Sequence, residues 1–216
     1  MYDIVFFDLD GTLTDPKTGI TSCVQYALES FGICEPDKDK LIPFIGPPLK
    51  ASFKDFYGMT DSDADKAVEK YRERFSSVGL YENEIFDGVE EMLEALKESG
   101  KTLALVTSKP YVYAKEILRH FDILKYFGEV FAPDLGDLHS EKTHIVARAL
   151  ESYGVENKKR MIMVGDRRMD ITGAKDNGIA SVGVRFGYAE ENELEIAGAD
   201  FFADSVPELK KILMEI

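Results

Sequence analysis

The stretch FFDLDGTLTD, residues 6–15, decides the fold class and points to the chemistry. An apolar run from Ile4 to Phe7 leads into Asp8 and Asp10, and Gly11 follows directly. A short run of apolar β-forming residues predicts a buried strand, and the Asp-Gly step predicts a sharp turn after it. Because two carboxylates this close repel each other, the arrangement requires a cation, a proton or a cationic substrate group nearby.

The composition limits the class of protein. The chain has 216 residues, 44% of them hydrophobic, and a formal net charge of −14. This is enough apolar material for one large domain, or for one domain with an insertion. The acidic excess argues against a nucleic-acid binder and against a binder of anionic membranes. An anionic substrate would therefore need a local patch of positive charge.

The cysteines and the N-terminal residues suggest where the protein works. Cys23 and Cys34 are isolated thiols outside any C-x-x-C pattern, which fits a reducing compartment. No basic segment followed by an apolar one precedes the first strand, and no apolar run approaches the roughly 18 residues of a membrane span. We expect a cytoplasmic protein, a monomer or weak homodimer, that acts on a small molecule.

The sequence changes in character on either side of residue 85. Residues 16–84 are predicted to be helical, with apolar residues at helical spacing in GITSCVQYALESFG, GPPLKASFKDFYG and DSDADKAVEKYRERFSSVG. From there on, helices alternate with the predicted strands TLALVT, GEVFA, MIMVGD, ASVGV and FFAD. This alternation predicts a doubly wound α/β fold with a Rossmann-like parallel sheet. We predict a core domain of residues 1–15 and 85–216, with residues 16–84 inserted as a helical cap domain.

Polar residues follow three of the predicted strands. Asp8 and Asp10 end the first, Thr107 and Ser108 end TLALVT, and Asp166 ends MIMVGD. In open parallel sheets, ligands bind outside the carboxyl ends of the strands. We therefore expect these side chains to converge on one crevice.

Two further residues join this set. Asp170 follows Asp166 by four residues, and Lys142 is predicted in the first turn of the helix after GEVFA. A cluster of carboxylates without histidine or cysteine suits Mg²⁺. The metal, Lys142 and backbone N–H groups of the turns would make a small electropositive spot on an acidic protein.

Each motif also has a simpler interpretation. D-x-D-G is common in turns, and Thr107 with Ser108 is compatible with a helix cap. Asp170 is also a candidate helix N-cap, and most lysines such as Lys142 are solvated. His139 and His144, which flank that lysine, are predicted to be surface residues. The common location of all the motifs at one rim favours a functional site.

Four motifs together resemble those of the haloacid dehalogenase (HAD) superfamily, in particular its phosphoglycolate-phosphatase-like branch. They are DLDGT at residues 8–12, Thr107 at the end of LALVT, Lys142, and GDRRMD at residues 165–170. Their order and spacing cover nearly the whole chain, and the helical insertion resembles the family's cap. The resemblance implies a Mg²⁺-dependent phosphomonoester hydrolase.

The resemblance also implies roles for individual residues. Asp8 would be the nucleophile that forms an aspartyl-phosphate, and Asp10 the general acid and base. Mg²⁺ would bind the side chains of Asp8 and Asp166 and the backbone carbonyl of Asp10. Asp170 would orient a metal-bound water or Lys142.

The remaining members of the motifs would bind the substrate. By the same resemblance, Thr107, Ser108 and Lys142 would hold phosphoryl oxygens. The leaving group would meet the cap, chiefly near the proline-stiffened residues 46–50, where Lys50 adds a charge.

The motifs leave several substrates open. Phosphoglycolate, a nucleoside 5′-monophosphate, a sugar phosphate and pyrophosphate are all compatible with them, so a 5′-nucleotidase or a pyrophosphatase is an alternative. Asp10 argues against a dehalogenase, which has no leaving alcohol to protonate. Gly165 stands where β-phosphoglucomutases typically carry glutamate, which makes an isomerase less favoured. A phosphorelay receiver is least favoured, because it needs only roughly 120 residues.

Two lysines lie next to motif residues. Lys109 directly follows Ser108 and precedes Pro110, so we expect its side chain to point toward the cap or solvent. Lys142 is predicted at a helix start, where the dipole disfavours a cation, so an acidic partner would have to hold it there. We predict that Lys142 is the catalytic lysine.

Overall fold

The computed structural model describes residues 1–137 and 141–216. In these residues the strands are β1 (Ile4–Phe7), β2 (Thr14–Asp15), β3 (Glu84–Ile85), β4 (Thr102–Val106), β5 (Glu129–Phe131), β6 (Met161–Gly165), β7 (Ala180–Val184) and β8 (Phe201–Ala203). The α-helices are α1 (Lys17–Glu29), α2 (Leu49–Tyr57), α3 (Asp61–Arg74), α4 (Val89–Glu98), α5 (Tyr111–His120), α6 (Lys142–Tyr153), α7 (Arg168–Asn177), α8 (Glu193–Ala197) and α9 (Val206–Glu215). Among them, no helix combines the length and the hydrophobicity that crossing a bilayer requires.

A parallel sheet with the strand order β5-β4-β1-β6-β7-β8 forms the centre of the fold. Strand β1 lies between β4 and β6, with Phe7 opposite both Leu105 and Val164. The chain first builds outward from β1 to β4 and β5, then returns to the other side of β1 for β6, β7 and β8. This reversal creates the switch point at which parallel α/β sheets bind ligands. The predicted α/β fold with a parallel sheet is confirmed.

Helices cover the sheet on both faces, which explains why β1 is a continuous apolar run. Phe6 belongs to a buried cluster that includes Ile145 of α6 and Ala174 of α7. Its neighbour Phe7 points to the opposite face, where its ring meets that of Phe127 edge-on at 6.4 Å. All four residues of β1 are buried. The strand that carries the acidic pair is therefore held from both sides.

The chain forms two compact units, Met1–Thr14 with Ile85–Ile216, and Asp15–Glu84. The first contains the six-stranded sheet described above. The second contains α1, α2, α3, a 3₁₀ segment (Lys38–Phe44) and a π-helical turn (Phe75–Gly79). Its interior includes Phe44 and Phe53, whose ring centroids are 5.0 Å apart. The short strands β2 and β3 pair with each other and contain the boundaries between the two units.

Candidate active site

Three buried carboxylates meet at the carboxyl edge of the sheet. Asp8 directly follows β1, Asp166 directly follows β6, and Asp170 lies in the first turn of α7. Because β1 and β6 are adjacent and parallel, the first two side chains emerge at the same edge. Each of the three residues offers an oxygen, and these oxygens lie within 4.8 Å of one another. The structure therefore brings together three of the predicted site residues.

Lys142, the first residue of α6, reaches into this cluster. Its Nζ lies 2.7 Å from Asp8 Oδ1 and 2.8 Å from Asp170 Oδ1, and it donates to the Val106 carbonyl at 3.0 Å. Burial alone would lower the pKa of Lys142, but the charges of Asp170 and Asp8 outweigh it and raise that pKa. The predicted acidic partners of this lysine are confirmed, and its side chain is an ammonium in the interior.

Asp170 has two tasks, one for each oxygen. Oδ2 accepts the backbone N–H of Arg167 at 3.0 Å, which caps α7, while Oδ1 faces Lys142. The prediction of Asp170 as the N-cap is therefore wrong, because the N-cap is Arg167 and Asp170 caps its backbone N–H from within the first turn. Gly165 makes room for this arrangement, because a Cβ there would lie 2.2 Å from Asp170 Cγ.

Backbone segments from two loops enclose Asp166. Tyr188 N–H donates to Oδ2 at 2.8 Å, and the Thr12 hydroxyl donates to Oδ1 at 3.4 Å. Gly11 has a φ of +79°, and a Cβ there would lie 2.0 Å from Asp166 Oδ2. A Cβ on Gly187 would lie 2.3 Å from the Gly11 carbonyl oxygen. Glycine is thus required at both positions for Asp166 to sit as it does.

The cluster carries more negative than positive charge. Burial, and then the charges of Asp170 and Asp8, raise the pKa of Asp166 well above its ordinary range. Burial likewise raises the pKa of Asp170 to about 6, although Lys142 acts in the opposite direction. A divalent cation would balance this charge, and an oxygen-only donor set suits Mg²⁺. The residues present therefore fit the metal that the motifs predict.

Asp10 lies beside the cluster and has a different partner. Lys109 Nζ is 2.8 Å from Asp10 Oδ1 and 2.6 Å from Oδ2, and the lysine side chain is only 5% exposed. The expectation that Lys109 points toward the cap or solvent is therefore wrong. A carboxylate that is only 12% exposed needs a counter-charge, and Lys142 is already engaged by two others. Burial still raises the pKa of Asp10, with Lys109 opposing it.

Thr107 extends the edge of β4 by one residue. Its N–H donates to the Phe131 carbonyl at 3.0 Å, and its buried hydroxyl accepts the N–H of Lys109 at 3.3 Å. Helix α5 begins later, at Tyr111, and has no side-chain cap. The helix-cap interpretation of Thr107 and Ser108 is therefore wrong, because the residue at the cap position is Pro110. Ser108, the next residue, is partly exposed.

Glu193, at the start of α8, was not indicated by any motif. Its Oε1 accepts from Arg167 Nε at 3.0 Å and from Arg168 N–H at 2.6 Å, and its Oε2 accepts from Glu190 N–H at 2.9 Å. It thereby ties the loop after β6, which carries Asp166, to the segment after β7. In sequence it is one acid among many.

Two other residues near the site have positions in the sequence that indicate the site more clearly than that of Glu193. Tyr188 lies beyond the carboxyl end of a predicted parallel strand, and Lys109 adjoins Thr107. The prediction of His144 as a surface residue is confirmed, because its side chain is 52% exposed. His139 lies outside the described residues.

The model of the haloacid dehalogenase-like hydrolase family matches residues 5–184, which include every site residue described above except Tyr188, Gly187, Glu190 and Glu193. The chain belongs to this family. The predicted family and the hydrolase class are confirmed.

Several relatives of this HAD hydrolase are named as enzymes that release phosphate. A 5′-nucleotidase from Pseudomonas aeruginosa is 43% identical over 212 residues, which cover 98% of this chain and 96% of the relative. A phosphoglycolate phosphatase from Vibrio parahaemolyticus is 29% identical over 218 residues, which cover 97% and 95%. The crystal structure of a predicted phosphatase from Clostridium acetobutylicum is 41% identical, covers 100% of both chains and has a TM-score of 0.94.

Proposed function

We propose that this HAD hydrolase is a Mg²⁺-dependent phosphatase that cleaves a small phosphomonoester through an aspartyl-phosphate on Asp8. The observation that carries the proposal is the buried contact of 2.7 Å between Asp8 Oδ1 and Lys142 Nζ, beside two further buried carboxylates. Phosphoryl transfer needs positioning and charge neutralisation more than elaborate covalent chemistry, and this cluster supplies both.

The metal would be held by the side chains of Asp8 and Asp166 and by the backbone carbonyl of Asp10. When bound, Mg²⁺ would neutralise charge on the phosphoryl oxygens. In support, the cluster has an excess of buried negative charge and offers only oxygen ligands. Tyr188 N–H and the Thr12 hydroxyl fix the carboxylate of Asp166 in one orientation.

The covalent work falls to Asp8 and Asp10. An oxygen of Asp8 attacks phosphorus, the bond from phosphorus to the leaving oxygen breaks, and a proton from Asp10 passes to that oxygen. In the second half, water attacks the phosphorus, Asp10 takes its proton, and the Asp8 carboxylate is released with inorganic phosphate. The raised pKa of Asp10 suits a group that begins the cycle protonated.

Lys142 and its neighbours prepare the nucleophile and the phosphoryl site. Lys142 offsets the repulsion between Asp8 and the incoming phosphate, and Asp170 holds the lysine in place from the side of α7. Thr107 and Ser108, at the end of the adjacent strand β4, would bind phosphoryl oxygens. Asp170 is itself held in place, because its Oδ2 accepts a hydrogen bond from the Arg167 N–H.

The substrate is proposed from the relatives and from the inserted unit. A phosphoglycolate-phosphatase-like activity is supported by the Vibrio relative, whereas the higher identity of the Pseudomonas relative favours a nucleoside 5′-monophosphate. Residues 16–84 would act as the cap that contacts the leaving group. Lys50 is a weaker candidate for that contact, because its Nζ is paired with Asp65 at 2.8 Å.

Phosphate release from a metabolite panel tests the proposal. The panel contains phosphoglycolate, nucleoside 5′-monophosphates, sugar phosphates and pyrophosphate, each with Mg²⁺ and with a chelator. We expect turnover that requires the metal and falls by at least a thousandfold in Asp8→Asn, which keeps the shape of the side chain but removes the nucleophile. Turnover by a folded Asp8→Asn variant within tenfold of the wild type would rule out the covalent mechanism.

A further inference from the structure

We propose that Lys109 is a positioning residue that aims the carboxyl group of Asp10 at the leaving oxygen of the substrate. The inference rests on the proposed function of Asp10 as general acid and base. It starts from the geometry of the pair, in which one ammonium lies within 2.8 Å of both carboxyl oxygens. Lys109 is thus distinct in its task from Lys142, whose partners are Asp8 and Asp170.

The site gives Lys109 a fixed starting point. Its backbone N–H donates to the Thr107 hydroxyl at the end of β4, and its side chain is buried. The backbone of Lys109 is therefore anchored to the strand next to β1, which carries Asp10 just beyond its end, and burial of the side chain limits where its ammonium can lie. A buried and anchored cation has little freedom to follow a moving carboxylate, so it can define where that carboxylate lies.

The chemistry of Asp10 explains why such a contact is needed. Rotation about the last bond of an aspartate side chain is only weakly restricted, so the carboxyl plane is not set by the side chain itself. In the acid form one oxygen carries the proton and the other can still accept from Lys109. The lysine then fixes the plane of the group while the protonated oxygen faces the leaving group. After proton transfer the same ammonium stabilises the carboxylate until water replaces the proton.

The choice of leaving group separates this role from a structural one. A p-nitrophenolate leaves readily without a proton, whereas the much more basic phenolate depends on one. General acid catalysis typically contributes 10²–10⁴-fold where protonation is needed. A residue that acts through the proton of Asp10 therefore affects phenyl phosphate more than p-nitrophenyl phosphate.

The experiment compares kcat/KM on these two esters for the wild type, Asp10→Asn, Lys109→Met, Lys109→Arg and the double variant Asp10→Asn/Lys109→Met. We expect Asp10→Asn and Lys109→Met each to lose at least tenfold more activity on phenyl phosphate than on p-nitrophenyl phosphate. Lys109→Arg should recover part of that difference. The double variant should lose no more on phenyl phosphate than Asp10→Asn alone, because both changes remove the same step.

The double variant also guards against misfolding. Lys109→Met alone leaves a buried carboxylate without its partner, whereas the double variant leaves no unpaired charge. Lys101→Met is the matched control, since Lys101 is also a buried lysine but bonds the Tyr2 carbonyl far from the site. This control should lose equally little on both esters.

Two results would overturn the inference, and they are distinguishable. If Asp10→Asn discriminates between the esters while Lys109→Met loses equally on both, Lys109 binds phosphate or only supports the fold. A further large loss in the double variant beyond Asp10→Asn would lead to the same conclusion. If Asp10→Asn itself fails to discriminate, the proposed acid role of Asp10 fails and this inference fails with it.

Discussion

The two ends of the parallel sheet treat charge in opposite ways. At the amino end, Arg160 Nε donates to Asp3 Oδ1 at 3.0 Å. The side chain of Asp3 is 35% exposed and that of Arg160 is 55% exposed. Lys101 is buried there, and its ammonium donates to the neutral backbone carbonyl of Tyr2. At the carboxyl end, three carboxylates are buried together, and among the residues that the structure describes a single lysine, Lys142, lies within ion-pair distance of two of them.

This contrast distinguishes charged residues that stabilise the fold from charged residues that are suited to catalysis. The fold already has a well-packed β1, so it does not require three acids beside it. Burial and mutual repulsion raise the pKa of Asp166, which means that its ionised form destabilises the fold. Strongly perturbed acids in a cleft mark functional sites more often than structural ones. At the amino end the acid behaves in the opposite way, because the hydrogen bond from Arg160 lowers the pKa of Asp3, and burial lowers the pKa of Lys101 only against the charge of Asp3.

The largest effect that can break the comparison is expected from the loss of the buried ammonium of Lys142 at the carboxyl end. Lys142→Met leaves Asp8 and Asp170 facing each other, and the phosphate, without the ammonium that lies between them. At roughly 4 Å and an effective dielectric of about 20, one such contact is on the order of 4 kcal/mol before desolvation. If about two thirds of that is realised in the transition state, kcat falls roughly a hundredfold.

Steady-state turnover of p-nitrophenyl phosphate measures this effect, with Lys101→Met as the control at the other end. We expect the control to stay within about threefold of the wild type, because its ammonium contacts no reacting group. Circular dichroism spectra establish that both variants are folded. Equal losses in the two variants would mean that the carboxyl end has no special catalytic role.

The effect of intermediate size is expected from Asp166→Asn, which should increase the stability of the metal-free protein while it abolishes turnover. Asp166→Asn removes one buried charge but preserves the shape, since the amide oxygen accepts from Tyr188 N–H and the amide nitrogen donates to the Thr12 hydroxyl. In a chelator at pH 7.5, we expect the melting temperature to rise by at least about 2 °C. The stabilisation that Mg²⁺ gives the wild type should be lost, together with turnover.

The pH dependence of this difference follows from the direction of the pKa shift. The folded protein raises the pKa of Asp166 above its ordinary value of 3.8, so the fold prefers the neutral carboxyl group. Wild-type stability is therefore lost as pH rises from about 4 through the folded pKa, and the asparagine variant escapes that loss. Thermal unfolding of both proteins in chelator between pH 4 and 8 tests it. A difference that stays constant across this range, or that favours the wild type at pH 7.5, would contradict the interpretation.

Much of this end of the molecule is predictable from local sequence. The apolar run before Asp8 and the alternation of strands and helices fix the parallel sheet. The rule that ligands bind beyond strand ends then brings Asp166 and Lys142 to the same edge. Each of these inferences uses a pattern of a few residues and a topology that allows few alternatives.

The rest of the site depends on contacts that local patterns do not encode. The direction of Lys109 follows from a turn set by the Thr107 hydroxyl and from the need of Asp10 for a counter-charge. Glu193 bonds Arg168 N–H across 25 positions of sequence. Buried polar groups need hydrogen-bond partners, so these long-range contacts depend on which groups the folded backbone brings close together. A local sequence pattern does not contain that information.

The smallest effect, at the amino end, has the opposite sign. The hydrogen bond from Arg160, supported by its charge, lowers the pKa of Asp3, so here the ionised form stabilises the fold. That contribution is present above the ordinary value of 3.8 and is lost as pH falls through the folded pKa. Because the pair is largely solvated, Asp3→Asn should cost only about 0.2–1 kcal/mol at pH 7, which lowers the melting temperature by a few degrees at most.

Thermal unfolding at pH 7 and at pH 3, each in low salt and in 0.5 M NaCl, measures this cost. We expect it to shrink with salt and with acid, and turnover to remain at the wild-type level. If Asp3→Asn were stabilising at pH 7, as Asp166→Asn is expected to be, the two ends of the sheet would not differ in the way argued above.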